Sequence, residues 1–194
     1  MSKYLITPSL LTSWQFYLKR EDNNKEEFLN TLKKNKIEPN KNMQRGLDYE
    51  DLISSILHYN NKSDDLVINE IIDIIKDGLW QEPVMQDAAI HGINVLLYGR
   101  TDTIKENTIY DIKRTSHYYI GKYINSIQHD LYMLCSGLTN FKYLISTGDN
   151  LYIEEYNFTN NSKDNIINII DNFLGWLSVN DLLAVYFENW KCKY

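Results

Sequence analysis

Midway along the chain the spacing of apolar residues changes, and this change constrains the fold more than any other feature. Up to Gly78 the apolar positions recur at helical intervals. Thr7-Pro8 opens the first such segment with a capping residue and a proline at the first helical position, and Leu10, Leu11, Trp14, Tyr17 and Leu18 follow on one face. A lysine-rich stretch over 19–45 carries a short helix around Phe28, Leu29 and Leu32. Residues 47–59 read as a helix burying Leu52, Ile53, Ile56 and Leu57. Ser63-Asp64-Asp65 caps another with Leu66, Val67, Ile71, Ile74 and Ile75, stopped near Gly78. Residues 82–90, 93–100 and 108–113 are instead short and rich in β-branched or aromatic residues, with connections at His91-Gly92 and Lys105-Glu106-Asn107. A helix fits 122–136. Strands Phe141–Thr147 and Leu151–Phe158 follow, joined by Gly148-Asp149-Asn150, then a helix from Ser162 to Leu177 and another over 180–190. The order predicts one α/β (α+β) domain over 1–194, a mixed sheet with helical cover.

Composition narrows the class. With 43% hydrophobic and 24% charged residues the chain can bury a core. No run approaches the roughly 18 apolar residues of a membrane span, and Met1-Ser2-Lys3-Tyr4 lacks the layout of a secretory leader. A soluble cytoplasmic protein without membrane attachment is the expectation. Two cysteines, Cys135 and Cys192, are too few for a four-thiolate metal site or an iron–sulfur cluster. The net charge of −6 concentrates its acid excess in 51–98 and 131–194, so no basic block announces a general nucleic-acid coat, although a local groove of cations is compatible with the balance.

The stretch from Gly99 to Lys113 carries the chemistry. With a hairpin tip at Glu106-Asn107, Ile104 faces Ile109, Thr103 faces Tyr110 and Asp102 faces Asp111. Lys113 shares a strand face with Asp111, and Ile112 points the other way. Opposed carboxylates repel, so the arrangement makes sense around a divalent cation, and a hard oxygen site suits Mg²⁺ or Mn²⁺. Lys113 beside that ion would position a water or offset charge on a phosphate. Glu-Asn is a weaker tip than Asn-Gly, which leaves the register open by about one residue. An acid-x-Lys triplet alone is common by chance, and a charged hairpin also protects a sheet edge.

The ordered set is more specific than its members. Gly46-x-x-x-Glu50 on a helix, Gly99-Arg100-Thr101-Asp102, Asp111-Ile112-Lys113 and Gln128-x-x-x-Tyr132 on the following helix resemble the PD-(D/E)XK nuclease superfamily, in particular its RecB-like exonuclease branch with CRISPR-associated and phage recombination members. Thr7-Pro8-Ser9-Leu10-Leu11-x-x-Trp14 is similar to the leading helix of that branch, and the likeness spans about residues 5–158, with the motifs between about 46 and 158. The resemblance implies a restriction-endonuclease-like core, a central mixed β-sheet flanked by helices, and metal-dependent hydrolysis of phosphodiester bonds in DNA. It implies Glu50, Asp102, Asp111 and the Ile112 carbonyl as metal ligands, Lys113 as the catalytic lysine, and Gln128 and Tyr132 as site-organising or DNA-contacting residues. It further implies phage recombination or host defence and repair proteins as partners, and a homo-oligomer. The branch often carries His before the first acid, where this chain has Tyr49. An inactive binding protein or inhibitor on the same fold is therefore the alternative.

Single residues have plainer readings too. Glu50 alone reads as a solvated helix acid, and Gln128 and Tyr132 also fit the boundary of an amphipathic helix. Arg100, Arg114 and Lys122 are candidate phosphate contacts. His117 and His129 lie near the site in sequence, but His58, His91, His117 and His129 show no paired metal spacing. Tyr118 and Tyr119 could stack on bases, yet among 15 tyrosines packing is the plainer role. Trp14, Trp80 and Trp176 read as core.

Overall fold

The computed structural model describes residues 2–20 and 25–192; Met1, residues 21–24 of the lysine-rich stretch and residues 193–194 lie outside it. Eight strands and seven helices are formed among the described residues. In chain order they are β1 (Tyr4–Ile6), α1 (Pro8–Lys19), α2 (Glu26–Leu32), α3 (Lys41–Tyr59), α4 (Leu66–Ile75), β2 (Leu79–Trp80), β3 (Pro83–Ile90), β4 (Ile93–Arg100), β5 (Thr103–Lys105), β6 (Thr108–Arg114), α5 (Ile127–Ser136), β7 (Asn140–Ser146), β8 (Leu151–Asn157), α6 (Asn160–Val179) and α7 (Leu183–Asn189). No helix among the described residues is long and apolar enough to cross a membrane.

Capping chemistry sets most helix ends. Thr7 accepts from the Leu10 N–H at 3.2 Å ahead of Pro8. Asp65 accepts from the Val67 N–H at 2.8 Å to start α4. Two boundaries differ from the expected ones. α3 begins at Lys41 rather than near 47, because Asn40 caps the Asn42 and Met43 N–H groups. Its first turns carry no apolar period, and from Lys41 to Asp48 all but Gly46 are exposed. α5 begins at Ile127 rather than 122, because Ser126 is its cap and the preceding residues form a turn tied to β8. α6 starts two residues early, at Asn160, with Thr159 and Ser162 forming a reciprocal cap. On α3, Leu52 is exposed, while Ile53 and Ile56 are buried as expected.

The strands form a three-stranded sheet, ordered β1-β4-β3, and a five-stranded sheet, ordered β2-β5-β6-β7-β8. Both are mixed: β1 runs parallel to β4 and β6 parallel to β7, and the other pairs are antiparallel. The single expected sheet is thus divided, and the division has a local cause. Leu79 pairs with Ile104 and Pro83 with Arg100, so β2–β3 and β4–β5 are one long hairpin held in one register. It is interrupted at Gln81-Glu82 and Thr101-Asp102, where Gln81 adopts a left-handed backbone (φ 53°). The Gln81 N–H still donates to the Asp102 carbonyl at 2.8 Å, and the Thr101 N–H to the Glu82 carbonyl at 3.0 Å. The kink therefore keeps the register while turning β5 into the second sheet.

Two apolar cores sandwich these strands. The larger gathers α1, α2, α5, α6 and α7, with Trp14, Phe28, Phe173 and Tyr186 buried against Val95, Leu97, Phe141 and Ile145. The smaller packs Tyr49, Ile53 and Ile56 of α3 and Ile71 and Ile75 of α4 against Ile112 and Leu144. Trp14 is buried as expected; Trp176 and Trp80 are only partly buried, at the margins of the two cores.

Candidate active site

The β5–β6 hairpin turns at Glu106 and Asn107, both with positive φ (48° and 60°), the signature of a type I′ turn whose twist matches the strands. Thr103 pairs with Tyr110, Ile104 with Ile109 and Lys105 with Thr108, which settles the register as expected. Asp102 stands one residue beyond the last pair, level with Asp111. Here the ladder parts, and the Asp102 carboxylate does the work of a strand carbonyl: its Oδ2 accepts from the Ile112 N–H at 2.6 Å. A backbone donor that the kink would leave unpaired is satisfied by a side chain, and that side chain is fixed in place.

Asp111 and Lys113 share the opposite face from Ile112. Asp111 is 1% exposed. Its Oδ2 lies 2.6 Å from Lys113 Nζ, and its Oδ1 accepts from Gln128 Nε2 at 2.6 Å. Gln128 Nε2 also donates to the Tyr132 hydroxyl at 3.3 Å, so Tyr132, one turn further along α5, holds the amide that bonds Asp111. Tyr132 is buried with its ring against Gly99: a methyl group added there would stand 2.2 Å from Tyr132 Cε1. Gly99 lets helix and strand approach closely enough for Gln128 to reach Asp111.

Glu50 comes from the other side, on α3, half-buried, with Gln81 Nε2 approaching its Oε1 at 3.5 Å. Glu50, Gln81, Arg100, Thr101, Asp102, Asp111, Ile112, Lys113 and Gln128 line one cavity of about 360 Å³. The carboxyls perturb one another across it. Burial, then the Asp111 carboxylate, push Asp102 well above the ordinary carboxyl value. Burial also raises Asp111 against the pull of Lys113 and Gln128, and raises Glu50 with help from Asp111. Burial works against the Lys113 ammonium, but Asp111 and Asp102 outweigh it and hold the amine above its usual value, so it stays charged. Burial and Asp111 push the Tyr132 phenol up to about 12.

No three His, Cys, Asp or Glu side chains among the described residues come together as a ready-made metal cage. The donor set still fits one kind of ion. Asp102, Asp111, the Ile112 carbonyl and Glu50 are all oxygen donors, without a thiolate or imidazole among them. Mg²⁺ and Mn²⁺ sites are commonly built from one or two carboxylates, with waters and substrate phosphate completing the shell.

The other expected contacts divide. Arg100 lines the cavity, its Nε donating to the Gln81 carbonyl at 3.1 Å. Arg114 does not line it. By strand alternation it lies on the Ile112 face, donating to the Thr115 and Ser146 carbonyls at 3.2 and 3.3 Å, with its guanidinium 5.7 Å from the centre of the Tyr49 ring. Lys122 does not line the cavity either; its Nζ ties Thr115 Oγ1 and the His117 carbonyl, both at 2.6 Å. His129 is 4% exposed and stacks on Tyr156 at 4.1 Å, so it is a core residue rather than a substrate contact. Tyr118 stacks on Tyr152 at 4.4 Å. Tyr49, in the place of the branch's usual His, belongs to the smaller core and does not line the cavity.

Two supporting residues carry no sequence signal. Gln81 reaches the site only because of the kink. Glu154 on β8 accepts from the Gly121, Lys122 and Tyr123 N–H groups at 2.8, 3.1 and 3.3 Å and from the Tyr156 hydroxyl at 2.6 Å. A carboxylate thus fills the concave run of N–H groups in the loop between Lys113 and Gln128. Burial raises the Glu154 carboxyl, but the Tyr156 and Tyr118 hydroxyls and these N–H groups prevail and hold it below its usual value.

Solved structures of known proteins share this arrangement of elements. LHK-Exo, an alkaline exonuclease from Laribacter hongkongensis, superposes with a TM-score of 0.54 at 14% identity, over 90% of this chain and 88% of its own. Its complex with dAMP gives 0.55 at 14% identity and the same coverage. The chain has the restriction-endonuclease-like fold. SSO0001 matches as well, with a TM-score of 0.57 at 12% identity over 91% of this chain and 78% of its own. No family model matches the sequence, and no curated protein does.

Proposed function

We propose that the protein is a Mg²⁺- or Mn²⁺-dependent deoxyribonuclease, acting as an exonuclease on linear DNA in phage-type recombination or repair. One observation carries the reading: acids from α3, the β4–β5 kink and β6 line a single cavity with Lys113, on a fold shared with an alkaline exonuclease. Glu50, Asp102, Asp111 and the Ile112 carbonyl would hold the ion, which when bound polarises the scissile phosphate and lowers the pKa of a coordinated water. The chain's own residues do the rest. Lys113, kept charged by Asp111 and Asp102, orients the attacking water and offsets charge growing on the phosphate. Gln128 fixes Asp111 Oδ1, and Asp102 is fixed by the Ile112 N–H, so the ligands lose little freedom on binding. Arg100, exposed and lining the cavity, would meet a phosphate of the substrate.

The test is incubation of purified protein with linear DNA and Mn²⁺. Wild-type protein degrades it from the ends and spares closed circles, and Lys113→Ala loses about 10²-fold or more in rate. Activity surviving that substitution removes Lys113 from the mechanism, and cutting of closed circles makes the protein an endonuclease. Burial of Tyr49 where relatives often carry His favours the second reading, a silent binding protein or inhibitor. Calorimetric titration separates the two, because the enzyme binds Mn²⁺ in a manner that requires Asp102 and Asp111.

A further inference from the structure

The first two turns of α3 leave the body of the protein. Its buried residues are Tyr49, Ile53 and Ile56, whereas from Lys41 to Asp48 every residue is exposed except the half-buried Gly46. Glu50, where the helix meets the body, lines the cavity, and these exposed turns lead directly into it along the helix. They end an uneven run of charge: Lys33, Lys34, Lys36, Lys41 and Arg45 fall within 33–45 against Glu38 alone, in a chain of net charge −6. Lys34 lies 4.3 Å from the centre of the Trp190 ring and Lys36 pairs with Glu38 at 3.5 Å. Lys41 and Arg45, one helical turn apart, meet no carboxylate among the described residues.

Gly46 is the second anomaly. Glycine inside a helix is less stable than alanine and is expected where something must come close. Beyond its own helix, no atom of the described residues lies within 4 Å of where its Cβ would stand. Three and seven positions before Tyr49 and Ile53, Gly46 shares the face that the rest of the helix turns to the body. The described residues give this glycine no packing reason. A backbone passing under the helix does.

We propose that the projecting turns of α3 form a clamp on the DNA backbone, with Lys41 and Arg45 on phosphates and Gly46 giving the strand room to pass against the helix toward Glu50. The clamp takes its substrate class from the nuclease reading, but it is tested on binding rather than cleavage. The measurement is fluorescence anisotropy of a short labelled DNA duplex in EDTA, across a salt series. Each phosphate contact adds about 0.9 to the slope of log K against log salt. Lys41→Ala/Arg45→Ala therefore lowers the slope by about 1.8 and raises Kd by about tenfold or more at low salt. Gly46→Ala raises Tm by about 1–4 °C, because the helix gains alanine without a clash, and yet weakens binding several-fold. That opposition of signs is what a purely structural glycine does not give. An unchanged slope, or Gly46→Ala binding as tightly as wild type, overturns the clamp while leaving the nuclease reading intact. Binding with the stated dependence but no cleavage with Mn²⁺ upholds the clamp and sinks the nuclease reading. Wild-type protein that binds no DNA in EDTA overturns the clamp, and the nuclease reading is then decided by cleavage with Mn²⁺.

Discussion

Gly99→Ala tests whether the close approach of α5 to β4 holds the site together. An added Cβ would stand 2.2 Å from Tyr132 Cε1, 2.5 Å from Cδ1 and 3.2 Å from Cζ. Carbon atoms rest at about 3.5–4.0 Å, so the ring must retreat by about 1.3–1.8 Å. It has little room to do so, being 7% exposed and bonded through its hydroxyl to Gln128. Overpacking of this kind costs about 1–3 kcal/mol, or about 2–12 °C in Tm for a chain of this size. Thermal unfolding followed by circular dichroism measures it, and a double-mutant cycle isolates the cause. Tyr132→Ala removes the ring, so adding Gly99→Ala to that variant costs nothing further. If Gly99→Ala melts with wild type, or if its full cost persists without the ring, the close-approach argument is wrong. The same displacement moves Gln128 off Asp111, so metal-dependent cleavage falls along with stability.

Two further outcomes follow from the electrostatics. Asp102→Asn keeps an oxygen for the Ile112 N–H while removing a carboxylate that burial and Asp111 hold above its usual value. A raised carboxyl pKa means that ionisation costs the fold stability as pH rises, so in EDTA at neutral pH the variant melts above wild type. Mn²⁺ at about 100 times its Kd stabilises wild type by about 2.7 kcal/mol and leaves the variant unmoved; equal stabilisation of both by Mn²⁺ would exclude Asp102 as a ligand. Glu154→Gln removes the charge that gathers three N–H groups and a hydroxyl, for a loss of about 1–3 kcal/mol at neutral pH. Because the folded Glu154 carboxyl sits below its usual value, its contribution is present above the unfolded pKa and is lost as pH falls through the folded one. The deficit of the variant should therefore shrink in acid, and melts showing a pH-independent deficit would contradict the role assigned to that carboxylate.

Much of the site was legible because its determinants are local. Glu106-Asn107 sets a two-residue turn, the turn sets the register, and the register brings Asp102 level with Asp111. Alternation then places Lys113 with Asp111, and the same rule applied one residue further puts Arg114 on the other face, away from the cavity. The resemblance, rather than any spacing, brought in Glu50 and Gln128. His129 and Glu154 were not legible as what they are, because each is defined by a partner far along the chain: His129 stacks on Tyr156, and Glu154 is 33 residues from Gly121, whose N–H it accepts.

The α3 boundary marks the same division. Periodicity finds a helix through its buried face, so residues 49–59 announce themselves and the exposed turns from Lys41 do not. What the sequence determined alone was the succession of elements, the caps that start them and the pairing within the hairpins, since these depend on neighbours a few residues apart. Only the tertiary structure decided that the long hairpin kinks at Gln81 and Asp102, that the strands divide into two sheets, and that Glu50 and Gln128 arrive at Asp111 from different helices. Those outcomes follow from how two apolar cores pack around one set of strands, and packing between distant segments is settled by shape and burial in three dimensions, not by the order of residues in any short stretch.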